Sequence, residues 1–410
     1  MIQVFALLSA LGMIVYLVKK RYALYQAMIL GLIILVVGMG KPPVAVFILL
    51  GQALSNWTTI ELVLAVGLIS LLSRLLKDLG LLENFMKSLV AFVRSAKVAL
   101  IIIPALIGLF PIIGGAIFSA PLVDTLGDRL RLSPSVKTST NLVFRHAVFY
   151  FSPFNPSLIL LAGITGIDIL EMIKYLFPLG IANIVAGYYL YLHRTEDAGA
   201  SEREAKATVS WTTCLKMLLF YGAPLFLSLI LFIFFRAPLL ISLLIGVVAA
   251  LLLGDREKGN FKEIFTRGPD PLLMLGIGGI MVFQSLVGEL AGLFMMMETI
   301  AASGIPNFFL FVIVPFLIGW VSASFSLTVG ITAPILFPLL HQGGEEVFYA
   351  ILLYASGFFS YYISPIHLCQ IVSNNYFSVR GFDAYKLQYP VLFIAFGLSL
   401  IIFAVGVYIV

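Results

Sequence analysis

Charge is what this sequence has least of. Only 11% of its 410 residues are Asp, Glu, Lys or Arg, against about 25% in an ordinary soluble domain. That is too little polar side chain to clothe a water-facing surface of this size. Cysteine is scarce too: Cys214 and Cys369 stand far apart in apolar surroundings and match no disulfide, redox or metal spacing. The 4 histidines show no metal-ligand spacing either. No Walker motif is present, which argues against ATP as a driving force, and Gly276-Ile-Gly278-Gly279 lacks the strand-turn-helix setting of a dinucleotide loop. No nucleophile–base pair or symmetric pore-lining charge stands out, so neither an intramembrane enzyme nor a channel is expected. The net charge of +5 is not gathered into a patch, so no nucleic-acid partner is expected.

What is abundant is hydrocarbon. Hydrophobic residues make up 61% of the chain, in segments of membrane-spanning length that recur from end to end, as in an all-α polytopic membrane protein. Met1–Val18 has no basic start and no clear cleavage site, and is expected to be a retained span. Ten crossings are expected, near 2–18, 23–40, 57–76, 136–165, 168–192, 212–235, 237–254, 271–290, 347–375 and 386–409. Two further apolar stretches, 97–127 and 304–340, carry prolines at both ends (Pro104 and Pro121, Pro315 and Pro334) with glycine and hydroxyl residues between. They are expected to enter, turn and leave on one side as re-entrant hairpins, which membranes tolerate where protein or a cavity satisfies the backbone.

The basic residues test this count. With both termini on one face, 21 of them fall on the opposite face, among them Lys19, Lys97, Arg194, Lys258 and Arg380. Only Lys41, Lys174 and Arg236 share the terminal face, and Arg145 stays within the membrane. The positive-inside rule then puts both termini outside an inner (plasma) membrane and the polar linker 193–211 in the cytoplasm.

The two halves echo each other. Gly80-Leu-Leu82 matches Gly292-Leu-Phe294, Pro104–Gly108 matches Pro315–Gly319, Ser119-Ala-Pro121 matches Thr332-Ala-Pro334, and Tyr150-Phe-Ser-Pro153 matches Tyr362-Ile-Ser-Pro365, at offsets of 211 to 213. Residues 1–192 and 212–410 each hold five crossings and one hairpin, so the second half starts from the opposite face: two inverted-topology repeats, interrupted at matching places, which is where such transporters bind their cargo. A plain duplication with harmless kinks is the competing explanation.

The interruptions suggest chemistry. Ser152 is expected to N-cap a half-helix with Pro153 at its first position, and Ser364 with Pro365 to repeat the arrangement. A helix start of this kind favours an anion, and the carbonyls ending the preceding half favour a cation. Asn155 and His367 follow three residues on. Arg145 lies seven residues before Ser152, about 10 Å along a helix at about 1.5 Å per residue, on one face with Thr138 and Asn141. Its fork suits a carboxylate; the alternatives are snorkelling or a structural pairing with Asp124 or Asp128. His367 could equally be a satisfied buried histidine, and His146 is expected to be structural. The first hairpin tip, with Gly114, Gly115 and Ser119, offers mostly backbone to the anion. The second, with Ser322, Ser324, Ser326 and Thr328, offers hydroxyls, although small residues also serve close helix packing.

An arm, a re-entrant hairpin and a broken helix in each half resemble the ion-transporter superfamily, which includes gluconate permeases, citrate and dicarboxylate symporters and sodium–proton antiporters; the chain is nearest to a bacterial and archaeal branch. The resemblance implies an elevator mechanism, with hairpins and broken helices carrying the cargo past a scaffold of the remaining helices. It further implies interfacial arms at 81–96 and 293–304, a homodimer in contact with membrane lipid, and a Na+ site built from the second tip with Ser364. The Ser-Asn-Thr pattern of the dicarboxylate symporters is absent from both tips. The function expected is secondary transport of a small organic anion, a carboxylate, coupled to Na+ or H+, without other cofactors. The alternative is a sodium–proton antiporter without an organic substrate. In the H+ case the relay would fall to His367, His146 or Asp124.

Overall fold

A computed structural model describes residues 2–93, 95–109, 115–196, 210–255, 257–292, 304–340, 344–380 and 382–408, with positions 295 and 299 besides. Gly114, most of the linker 193–211 and most of the arm 293–304 lie outside the described residues. Among those described the chain is helical throughout, without strands. Among the described residues seven helical segments are long and apolar enough to cross a membrane: Ile2–Lys19, Trp57–Asp78, Ile169–Leu192, Trp211–Ile233, Phe261–Val287, Glu346–Tyr376 and Asp383–Val407, of which Phe261–Val287 and Glu346–Tyr376 are interrupted. This is a multi-pass membrane protein. Two other expected crossings are the shorter apolar helices Leu24–Met39 and Leu239–Leu253, and the third is the interrupted pair Pro134–Ala147 and Pro156–Thr165.

Polar residues between the apolar runs start these helices. Asn56, Asp168 and Asp270 cap Trp57–Asp78, Ile169–Gly187 and Pro271–Val287 by accepting from the first free N–H groups. Pro43–Ser55, between two of the expected crossings, is a helix of 13 residues with Val44 and Phe47 exposed; it is too short to cross at about 1.5 Å per residue. The arm Leu81–Phe92 buries one face and carries Glu83, whose carboxyl is held below the usual range by the hydrogen bond and charge of Lys87.

Contacts between loops join residues expected on one face. Lys41 pairs with Glu289 at 2.6 Å and Arg236 with Asp168 at 3.3 Å on the terminal face. On the other, Arg74 reaches Glu263 at 3.2 Å, Lys97 donates to the His193 carbonyl, and the Tyr191 hydroxyl donates to the Leu387 carbonyl.

The two stretches expected as hairpins each hold a pair of helices packed together, Ala96–Gly108 with Gly115–Arg129 and Asn307–Ser322 with Phe325–Leu336. Each first arm packs on the following interrupted helix: Ala96–Gly108 on Pro134–Ala147, and Asn307–Ser322 on Glu346–Ile363. Gly108 and Gly319 permit this approach. A Cβ at Gly108 would meet the Arg145 carbonyl, and one at Gly319 the Ser360 hydroxyl. The second arms cross over: Phe325–Leu336 packs on Pro156–Thr165, and Gly115–Arg129 on Leu368–Tyr376. The interrupted helices are central: 83% of the Glu346–Tyr376 window is buried, against 22% for Trp211–Ile233 at the periphery.

Candidate functional site

The interruptions differ in detail from the sequence expectation. Ser152 does not cap a helix. Its carbonyl accepts from the Asn155 N–H at 3.1 Å, closing a Ser-Pro-Phe-Asn turn, and the helix restarts with Asn155 as its cap and Pro156 at its first position. Asn155 Oδ1 accepts from the Ser157 N–H at 2.8 Å. The physical reason is that Ser followed by Pro closes a β-turn at least as readily as it caps a helix, and the second proline, Pro156, fixes where helix resumes. The second interruption matches. Ser364 ends Glu346–Ile363, its carbonyl accepts from the His367 N–H at 3.0 Å, and His367 holds the cap position of Leu368–Tyr376 without capping it by side chain.

The first interruption and the second hairpin tip enclose a cavity of about 270 Å³. Ser152, Asn155 and Ser157 line one wall, Ala323, Ser324 and Ser326 the other, with Gly108, Phe149 and Tyr361 closing it. The Ser157 and Ser326 hydroxyls are hydrogen-bonded at 3.0 Å across the two halves of the chain. Ala323 turns the tip in the left-handed conformation, φ 49°. Two helix starts, Pro156 and Phe325, therefore meet at this cavity, together with the ends of Ala96–Gly108 and Asn307–Ser322. It can offer N–H groups to an anion and carbonyls and hydroxyls to a cation.

The other expected residues lie behind it. Thr328 donates to the Ser324 carbonyl, Ser322 accepts from the Ser324 N–H, and Ser364 donates to the Trp320 carbonyl at 2.7 Å. These three hydroxyls support the tip and are not among the cavity's lining residues. Ser119 donates to Asn141, whose amide also reaches the Ala116 carbonyl and Ser373, tying the first hairpin to both interrupted helices.

Arg145 is buried, 3% exposed. It does not take Asp124 or Asp128, both of which pair with Lys137 at 2.6 Å. Its Nη1 points to Cys369 Sγ at 3.9 Å, a Cβ at Gly115 would collide with its guanidinium, and its charge acts on Tyr361. Tyr361 thus links the cavity it lines to the Arg145 group, and its hydroxyl is 3.0 Å from His367 Nε2. His146, expected to be structural, sits against His367 with ring centroids 5.2 Å apart.

Sequence reasoning missed Ser157, Tyr361, Phe149 and Cys369. The signal was present: Cys369 is Ser157 plus 212, and Tyr361 is Phe149 plus 212, the offset of the matched interruptions. Of the residues His146, His367 and Cys369, only the last two are near in sequence, so no metal spacing shows, and folding brings His146 to them.

The class this architecture defines is a polytopic helical membrane protein with paired hairpins and interrupted helices. The chain belongs to the family described as Protein of unknown function (DUF401), whose match spans residues 2–409. Its fold is similar to the crystal structure of the Alcanivorax borkumensis YdaH transporter, at 17% identity and a TM-score of 0.58, covering 88% of this chain and 87% of that one. No curated protein matches.

Proposed function

We propose that this protein is a secondary active transporter that carries a small organic anion, a carboxylate, across the membrane by a movement coupled to Na+ or H+. The observation that carries the proposal is the cavity where a helix interruption from one half meets a hairpin tip from the other, with the first residues of two helices, Pro156 and Phe325, in its wall. Such starts are positive ends suited to a carboxylate, and the buried Arg145 adds a positive field behind Tyr361. The similar fold of the YdaH transporter supports transport as the class of function. The crossed packing of the second arms supports two inverted repeats, 1–192 and 212–410, joined by the linker 193–211, with Ser152, Asn155, Ser324 and Ser326 as direct ligands.

The test is a thermal-unfolding screen of small carboxylates against the detergent-purified protein, with and without Na+ and at two pH values. A stabilising carboxylate is expected with the native chain and none with Arg145→Ala, which should remain folded. Stabilisation that persists unchanged in Arg145→Ala overturns the role of the guanidinium. The hydroxyls of Ser157, Ser324 and Ser326 favour a second reading, a cation site in a sodium–proton antiporter. Proteoliposomes that move protons in response to Na+ with no organic solute present would select it.

A further inference from the structure

The side chains behind the cavity form a group that anion transport does not use. His146 comes from the first half of the chain, His367 and Cys369 from the second, and His146, His367 and Cys369 offer ligand atoms that all lie within 4.8 Å of one another. His146 Nδ1 is 2.8 Å from the Leu142 carbonyl and His367 Nδ1 is 3.2 Å from the Tyr362 carbonyl. A carbonyl oxygen only accepts, so both Nδ1 atoms carry the proton and both neutral rings present an Nε2 lone pair. Holding the outer ring nitrogen with a backbone carbonyl is how proteins orient a metal-ligating histidine. His367 Nε2 takes the Tyr361 hydroxyl, a donor that can rotate away, whereas His146 Nε2 is buried with no hydrogen-bond partner among the described residues. A buried lone pair without a donor is costly unless something fills the site.

The geometry points to a binding site for a soft monovalent metal ion, Cu(I), held by His146 Nε2, His367 Nε2 and Cys369 Sγ. Thiolate and imidazole are ligand types that suit copper and zinc alike, and the choice between them falls to charge. The neighbouring guanidinium sets the charge. Arg145 Nη1 is 3.9 Å from Cys369 Sγ, so a divalent ion would add net positive charge beside a buried cation, at high Coulomb cost. A monovalent ion replaces the thiol proton, which leaves to water, and the charge of the site is unchanged. Bound there, the ion would join Pro134–Ala147 to the second interruption, and so pin together parts of both halves. The site stands apart from the identity of the transported solute.

The experiment uses the full chain in detergent with no solute, with Ag(I) as a redox-inert probe, Cu(I) under reductant, and Zn(II) as the divalent comparison. One Ag(I) or Cu(I) per chain should survive desalting, and X-ray absorption of the Cu(I) form should show mixed sulfur and nitrogen ligation. Cys214→Ser, which removes the other cysteine, should bind as the native chain does. Cys369→Ser should lose binding, and His146→Gln with His367→Gln should weaken it about tenfold or more, as loss of even supporting groups does. Should those variants misfold, maleimide labelling of Cys369 in the native chain supplies the answer: Ag(I) should protect it. Labelling at an unchanged rate, binding undiminished in folded Cys369→Ser, ligation without nitrogen, or tighter binding of Zn(II) than of Cu(I) each overturns the inference.

Discussion

Arg145 and Gly115 illustrate how a single residue pair carries meaning here. The guanidinium occupies the space where a side chain at 115 would stand, so the glycine is required by close approach rather than by backbone angle. Gly115→Ala should destabilise the protein by about 1–3 kcal/mol, as overpacking of a filled interior does. In an Arg145→Ala background the same substitution should cost under about 0.5 kcal/mol, because coupling is confined to groups in contact. Thermal unfolding of the four proteins measures this, and equal costs in both backgrounds would show that the two residues do not compete for one space. Arg145 was legible in the sequence because it is the one basic residue that belongs to neither face. Its surroundings were not: Cys369 comes from 224 positions along the chain, and nothing local to either residue announces the contact.

At the level of elements, proline made the interruptions visible and also concealed their exact form. Ser152-Pro153 and Ser364-Pro365 mark where helix must stop, since a residue before proline avoids the helical region. They do not say where helix resumes, because a β-turn and an N-cap draw on the same residues, and the turn prevailed in both places. The paired helices were legible from prolines flanking small residues, whereas the partners of the second arms were set by crossed packing that one-dimensional pattern does not encode. Asn155 now bears the capping role, and it allows a discriminating test. Asn155→Ala should lower stability by about 1 kcal/mol through loss of the cap, while Asn155→Asp, an equally good cap, should hold stability within about 0.5 kcal/mol. The aspartate would put negative charge on the cavity wall. Carboxylate-induced stabilisation should vanish in Asn155→Asp at unchanged fold stability, whereas a cation site would bind more tightly there. Undiminished carboxylate binding in this variant counts against an anion in the cavity.

Across the whole molecule the helices sort into two sets by what they pack against. Ile2–Lys19, Leu24–Met39, Trp57–Asp78, Trp211–Ile233, Leu239–Leu253 and Pro271–Val287 form one, in which Leu24–Met39 packs on Pro271–Val287 and Leu239–Leu253 on Trp57–Asp78. The hairpins and interrupted helices form the other, and they take with them Ile169–Gly187 and Asp383–Tyr408. The resemblance drawn from sequence assigns these last two helices to a fixed scaffold; their packing favours the carrying set instead, since Ile169–Gly187 lies against Pro134–Ala147 and Asp383–Tyr408 against Glu346–Ile363. An elevator requires the sets to slide past each other as bodies, a shear motion that breaks and remakes contacts along their boundary. Gly163 marks that boundary, seated so close to Leu62 that a Cβ there would strike its side chain. In the double variant Leu62→Cys with Gly163→Cys, a short cross-link verified by mass spectrometry should abolish solute uptake into proteoliposomes. Neither single variant treated with the same reagent should lose more than about half of its uptake, since neither can be bridged. Uptake at the native rate through the cross-linked protein would show that this boundary does not slide, and the elevator would have to be given up in favour of gating within the carrying set.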